Sequence, residues 1–156
     1  MSSSRHYAPS AGVDAGARSR ARRRAVQALY AWQVAGTPMA EIIVQFRREQ
    51  DMEVADLAYF EDILRGVERL KEELDELLAP CLDRGIEDID PVERATLRMA
   101  TYELQCRSDV PYRVVINEAI EVSKRFGAEH GHTYVNGVLD RLATGLRGSE
   151  YLSERR

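Results

Sequence analysis

Five arginines crowd into residues 18–24: Arg18, Arg20, Arg22, Arg23 and Arg24. Guanidinium groups pair bidentately with phosphate and stack on bases, so this cluster suits contact with a polyanion. It leads directly into Ala25, Ala28, Leu29 and Trp32, spaced as one apolar helix face. One rod therefore has a half to bury and a cationic half to present. Arg18 and Arg22 fall on related faces. The bland alternative is a solvated helix end, or arginines paired with acids of the same chain. Tyr30 lies off the Leu29/Trp32 face; it either stacks on an unpaired base or is a half-buried core tyrosine.

Other reactive side chains are sparse. His130, His132 and Glu129 stand close together, but the chain has three histidines, and its two cysteines (Cys81, Cys106) lie elsewhere. A closed metal site is not expected, and neither is a cofactor. There is no Gly-rich phosphate loop and no H-E-x-x-H. No Ser/His/Asp set is recognisable from spacing. The carboxylates sit beside Lys or Arg on helix faces, as on solvated surfaces. The chain reads as a binding protein, not an enzyme.

Charge distribution supports this. The net charge is −4, yet residues 1–24 carry six arginines against one acid, a net +5, which leaves −9 on the rest. A basic end on an acidic body fits a polyanion at one face and a basic protein at another. Two cysteines form no disulfide framework and suit a reducing cytoplasm. The apolar run Ala28–Trp32 is far too short for a membrane span. Residues 1–17 lack the apolar core of a secretory signal.

The elements that would hold these residues are helical throughout. Residues 1–17 read as a disordered tail. Ser19 is the expected cap of the first helix and Gly36 its end. Thr37-Pro38 opens a second helix reaching about Glu49. From Leu57 to Leu78 apolar residues recur every three or four positions, with an end predicted near Pro80. Gly66 inside that run marks a kink or a close helix contact. Residues 81–90 form a connector with a short turn at Ile86. Asp90-Pro91-Val92-Glu93 opens a fourth helix with inner face Leu97, Ala100 and Leu104. Val115, Ala119, Val122 and Phe126 belong to a fifth helix, closed by Gly127. Val135, Val138, Leu139 and Leu142 belong to a sixth, in which Gly137 permits a close neighbour. The chain is expected to fray past Gly145, with 148–156 a tail. No stretch alternates long enough for a strand. The fold class is all-α, two small helical subdomains (18–80 and 91–147) packed together, with six to seven helices.

Three stretches then carry a resemblance: AVQALYAWQVAG (25–36), ERATLRMATYELQCRSDVPYRVVINEAIEVSKRFG (93–127) and YVNGVLDRLA (134–143). In this order and spacing the chain, from about Arg18 to Leu146, resembles the bacterial transcription antitermination factor NusB family. The resemblance implies binding of the boxA segment of ribosomal-RNA leader transcripts, as single-stranded RNA, together with the ribosomal protein NusE. It also implies a complex that holds RNA polymerase in a termination-resistant state. Carried onto this chain, the RNA face falls on Arg18, Arg22, Gln27, Tyr30, Arg84 and Tyr134, to which the arginine cluster itself adds Arg23, and the partner-protein face falls on the fourth helix at Glu93. The chain departs from the family pattern at Cys81, where an aromatic residue is common, and at Tyr134, where phenylalanine is common.

Two rival readings follow from the same residues. One is a helical adaptor that binds only protein. The other is an accessory domain like that of an RNA cytosine methyltransferase, for which this chain shows no cofactor loop. Apolar stripes on several helices are also compatible with a homodimer.

Overall fold

The computed structural model describes residues 14–49 and 52–154, with the side chains of residues 53 and 154 set aside. Seven α-helices occur among the described residues and no strand: α1 (Ala15–Ala35), α2 (Met39–Arg47), α3 (Leu57–Leu78), α4 (Pro91–Cys106), α5 (Tyr112–Phe126), α6 (Gly131–Leu146) and α7 (Gly148–Glu154). Short 3₁₀ turns at Met52–Val54, Ala79–Cys81 and Ile86–Asp88 join them. Most of the tail expected at 1–17 lies outside the described residues.

α1 starts four residues before the expected Ser19 cap. Asp14 takes the extended backbone that a cap requires, and its carboxylate accepts from Ala17 N–H at 3.1 Å. Gly36, with φ of 73°, closes the helix by donating to Trp32 O. The buried face of α1 is mostly small (Ala21, Ala25, Ala28 with Val26 and Leu29), which lets α3 and α4 pack closely against it. α2 begins at Met39 with Pro38 before it, and Thr37 makes no side-chain cap.

α4 is the axle. It packs against α1, α3, α5 and α6. Every residue from Glu93 to Leu104 is buried, polar ones included. Sequence periodicity gave only one inner face, because Arg94, Thr96, Arg98, Thr101 and Glu103 break the apolar pattern. Burial is tolerated where each polar group finds a partner. Thr101 Oγ1 donates to Leu97 O at 2.7 Å, and Arg98 forks onto Asp75 of α3.

Gly66 is a close contact and not the kink. A Cβ there would lie 2.2 Å from Tyr102 Cε1 of α4, while the break in α3 falls at Leu70 (φ −106°, ψ 15°). Gly137 has room to spare, since a Cβ would meet only the Arg141 guanidinium at 3.7 Å. The chain does not fray after Gly145: α7 follows, Tyr151 stacks obliquely on Tyr112 at 5.4 Å, and Glu150 accepts from Tyr112 N–H at 2.9 Å.

Candidate nucleic-acid interface

The arginines of α1 divide by what they touch. Arg22 is 3% exposed and reaches across to α4, where Nε and Nη2 fork onto the Glu103 carboxylate at 2.7–3.1 Å. Glu118 lies 3.4 Å from its Nη1. Burial opposes the charge on Arg22, but Glu103 overrides it and raises its pKa above the ordinary arginine value. Tyr59 completes the cluster by donating its hydroxyl to Glu103. Burial, and then Glu103, push the Tyr59 phenol far above its usual range. Arg22 is thus a buried structural partner, not the solvent-facing phosphate contact expected of it. The charge that was to face RNA is consumed inside the protein.

Arg18 is only half available. It sits 3.4 Å from Asp56 and 3.5 Å from Asp109, with its guanidinium 4.3 Å above the Tyr59 ring. Arg24 pairs with Glu49 at 2.7 Å and donates to Gln27 Oε1 at 2.8 Å. Arg20 donates to the carbonyl of Val54 and has no carboxylate partner among the described residues. Arg23 has neither a hydrogen bond nor an ion pair among the described residues. Of the five arginines, Arg20 and Arg23 therefore have no carboxylate partner among the described residues.

Tyr30 does not join the arginines, and Gln27 does so only through the bond it accepts from Arg24. Together with Val26, Val92 and Phe126 they line a groove of about 260 Å³ between α1, the start of α4 and the end of α5. Tyr30 is 42% exposed at its rim. One turn further along α1, Val34 is also exposed.

Arg84 and Tyr134, fifty residues apart in sequence, do meet. The Arg84 guanidinium lies 5.1 Å from the centre of the Tyr134 ring. Asp83 ties them together: Arg84 Nε donates to it at 2.8 Å and Tyr134 Oη at 2.9 Å. Arg84 first, and then Tyr134, hold the Asp83 carboxyl down at about 2. Next to them Arg141 donates to the Cys81 carbonyl at 2.7 Å. Arg84 Nη2 also donates to Asp83, at 3.1 Å, so the result is an exposed guanidinium held by Asp83 beside a half-exposed ring, an arrangement that suits stacking on a base.

Glu93 is not on the surface. It is 3% exposed and its carboxylate fills a slot at the α5–α6 junction. A Cβ on Gly127 or Gly131 would stand 2.2 or 1.9 Å from Glu93 Oε2, so only glycine leaves that slot open. Ser123 Oγ and Ala128 N–H each donate to it at 3.3 Å. Burial, and then neighbouring Asp90, raise its pKa to about 7. Direct contact with a partner at Glu93 is thereby corrected to internal bracing of that junction.

The model of the NusB family matches residues 19–144. The chain belongs to the NusB family. It is 64% identical over 139 residues to the transcription antitermination protein NusB of Stenotrophomonas maltophilia, covering 89% of this chain and 87% of that one. It is 63% identical to its counterpart in Xanthomonas campestris, with the same coverage. The solved T. maritima NusB superposes with a TM-score of 0.69 at 33% identity, over 81% of this chain and 90% of that one. A NusB solved with NusE and double-stranded RNA shares the fold, with a TM-score of 0.74 at 24% identity, over 85% and 99% of the two chains. The relatives carry the name of transcription antitermination proteins, and the helical arrangement around α4 is shared with the solved T. maritima NusB.

Among the described residues no helix is long and apolar enough to cross a membrane, and no cluster of three or more metal-ligating side chains occurs. Sequence reasoning missed Tyr59, Arg107 and Glu103. Arg107 also stacks on Tyr59, at 4.6 Å. The signal for Tyr59 and Glu103 was a polar residue inside a helical apolar pattern; Arg107, just past the end of α4, had none.

Proposed function

We propose that this chain is an RNA-binding antitermination factor. It takes the boxA segment of ribosomal-RNA leader transcripts together with NusE and helps RNA polymerase resist termination. The observation that carries the RNA part is the Arg84–Tyr134 pair: a ring for a splayed base and a cation for the adjoining phosphate, both solvent-accessible. Arg23 and Arg20, without a carboxylate partner among the described residues, supply further charge from α1. NusB relatives at 64% identity carry the antitermination name, and a NusB of the same fold has been crystallised with NusE and RNA.

The partner-protein face in this reading is the groove of Val26, Gln27, Tyr30, Val92 and Phe126, whose apolar lining suits a protein side chain. The acidic body then attracts a basic partner, and RNA held by both proteins is retained more tightly than by either.

The test is affinity for a boxA RNA against a scrambled RNA, at two salt concentrations, with and without NusE. The reading expects preference for boxA, loss of affinity as salt rises, and strengthening by NusE. Equal affinity for both RNAs in all four conditions overturns it. A protein-only adaptor would leave RNA mobility unchanged in every lane.

A further inference from the structure

A second basic site shares no residue with the Arg84–Tyr134 pair. Between α1, α3 and α4, a cavity of about 150 Å³ is lined by Trp32, Gln33, Lys71, Glu87, Arg94 and Arg98. Arg98 makes one good bond from each of its nitrogens, Nε and Nη2 to Asp75 at 2.9 Å and Nη1 to Gln33 Oε1 at 2.9 Å, which leaves two of its five N–H donors for a ligand. Arg94 is more poorly partnered. It is 8% exposed, its Nε is sealed from solvent without a hydrogen-bond partner, and its Nη1 makes only long bonds to the carbonyls of Glu87 and Ile89, at 3.4 and 3.5 Å. A buried guanidinium so weakly bonded is costly, and an anion in the cavity would compensate its charge.

The acid nearest both guanidiniums is Glu87. Its carboxylate lies 3.4 Å from Arg94 Nη1 and 3.8 Å from Arg98 Nη2, while its side chain is 72% exposed. Such a contact is loose and weakly held. Asp75 is already shared between Arg98 and Lys71, the latter at 3.7 Å. Three cations thus face two carboxylates, one of them free to swing into solvent.

We propose that this cavity binds a single phosphate group, gripped by Arg94 and Arg98, with the Glu87 carboxylate as its internal competitor. The volume admits one phosphate group. The phosphate comes either from the free ion or from an RNA phosphodiester. This inference does not rest on the RNA reading of α1 or of Tyr134.

Trp32 is the only tryptophan, so its fluorescence reports on the cavity directly. Inorganic phosphate is titrated into the full chain at ionic strength held constant with chloride. A saturable change in Trp32 emission is expected with phosphate and not with chloride. Glu87→Gln tightens the apparent Kd about two- to fivefold by removing the competitor. Arg94→Gln abolishes the response. A short RNA that competes with phosphate for this signal identifies the phosphodiester as the source, and one that leaves it untouched identifies the free ion. The proposal is overturned by a response that chloride reproduces, by a response that survives Arg94→Gln, or by silence in both the parent chain and Glu87→Gln, a surface change that leaves the fold intact.

Discussion

Arg22 Nη2 and Glu103 Oε2 stand 2.7 Å apart across the α1–α4 contact, with both side chains closed to solvent. Two charges taken out of water tolerate this only together. Without Arg22, Glu103 is a buried charge that has lost its cation; without Glu103, Arg22 keeps only the looser contact with Glu118 at 3.4 Å. Arg22→Ala or Glu103→Gln should therefore destabilise the fold by about 3–5 kcal/mol, read as a fall in the urea midpoint. Replacing both with apolar residues of similar volume should restore most of the loss. A double variant no more stable than either single change would show that the pair does more than cancel its own burial.

Arg23 offers the opposite case. With no local partner, its removal should leave the urea midpoint within about 0.5 kcal/mol of the parent. RNA affinity should fall, and the slope of log affinity against log salt should flatten by about one phosphate contact. Adding Arg20→Ala should deepen the effect. Unchanged affinity and slope in the double variant would remove α1 from the RNA face.

Glu93 links stability to pH. Its folded pKa of about 7 lies above the ordinary 4.5 for a glutamate, so between those values the folded chain binds more protons than the unfolded chain. This contribution is fully present below about pH 4.5 and is lost as pH rises through 7. Asp90, lowered chiefly by its hydrogen bond to Glu93, acts in the opposite sense at acid pH below the window of this test. Melting between pH 5 and pH 8 should show a decline of about 1–2 kcal/mol, discounted for solvent screening. Glu93→Gln keeps the neutral shape, so its profile should be flat over that window. An equally steep profile in the variant would assign the decline to another group.

The periodic helices and their connections were legible in the residues because apolar spacing records a helix that buries one face. α4 was legible only in part, since burial on every side leaves no amphipathic stripe to read. Arg22 looked like its neighbours because the carboxylate that claims it lies 81 residues on. Glu93 occupies the place of an outward capping acid, and what turns it inward is the absence of side chains at Gly127 and Gly131. Gly66 showed that something special happens in α3, but whether a bend or a neighbour required it was decided by Tyr102. Arg84 and Tyr134 were named through a family pattern, and their contact depends on Asp83, to which no spacing pointed.

Tyr134 separates two roles that its family position combines. Its ring supports Arg84, and its hydroxyl holds Asp83. If the ring is what RNA uses, Tyr134→Phe should retain affinity for a boxA RNA within about twofold, because stacking needs only the π-face. Tyr134→Ala should lose about 1–3 kcal/mol of binding, the usual worth of one stacked base. The phenylalanine variant also releases Asp83 from one of the two bonds that depress it, so the Asp83 carboxyl should titrate above its present value of about 2. Carboxyl NMR shifts measured through acid pH check this independently of RNA. A phenylalanine variant that binds RNA as poorly as the alanine variant would place recognition on the hydroxyl–Asp83 link instead of the ring.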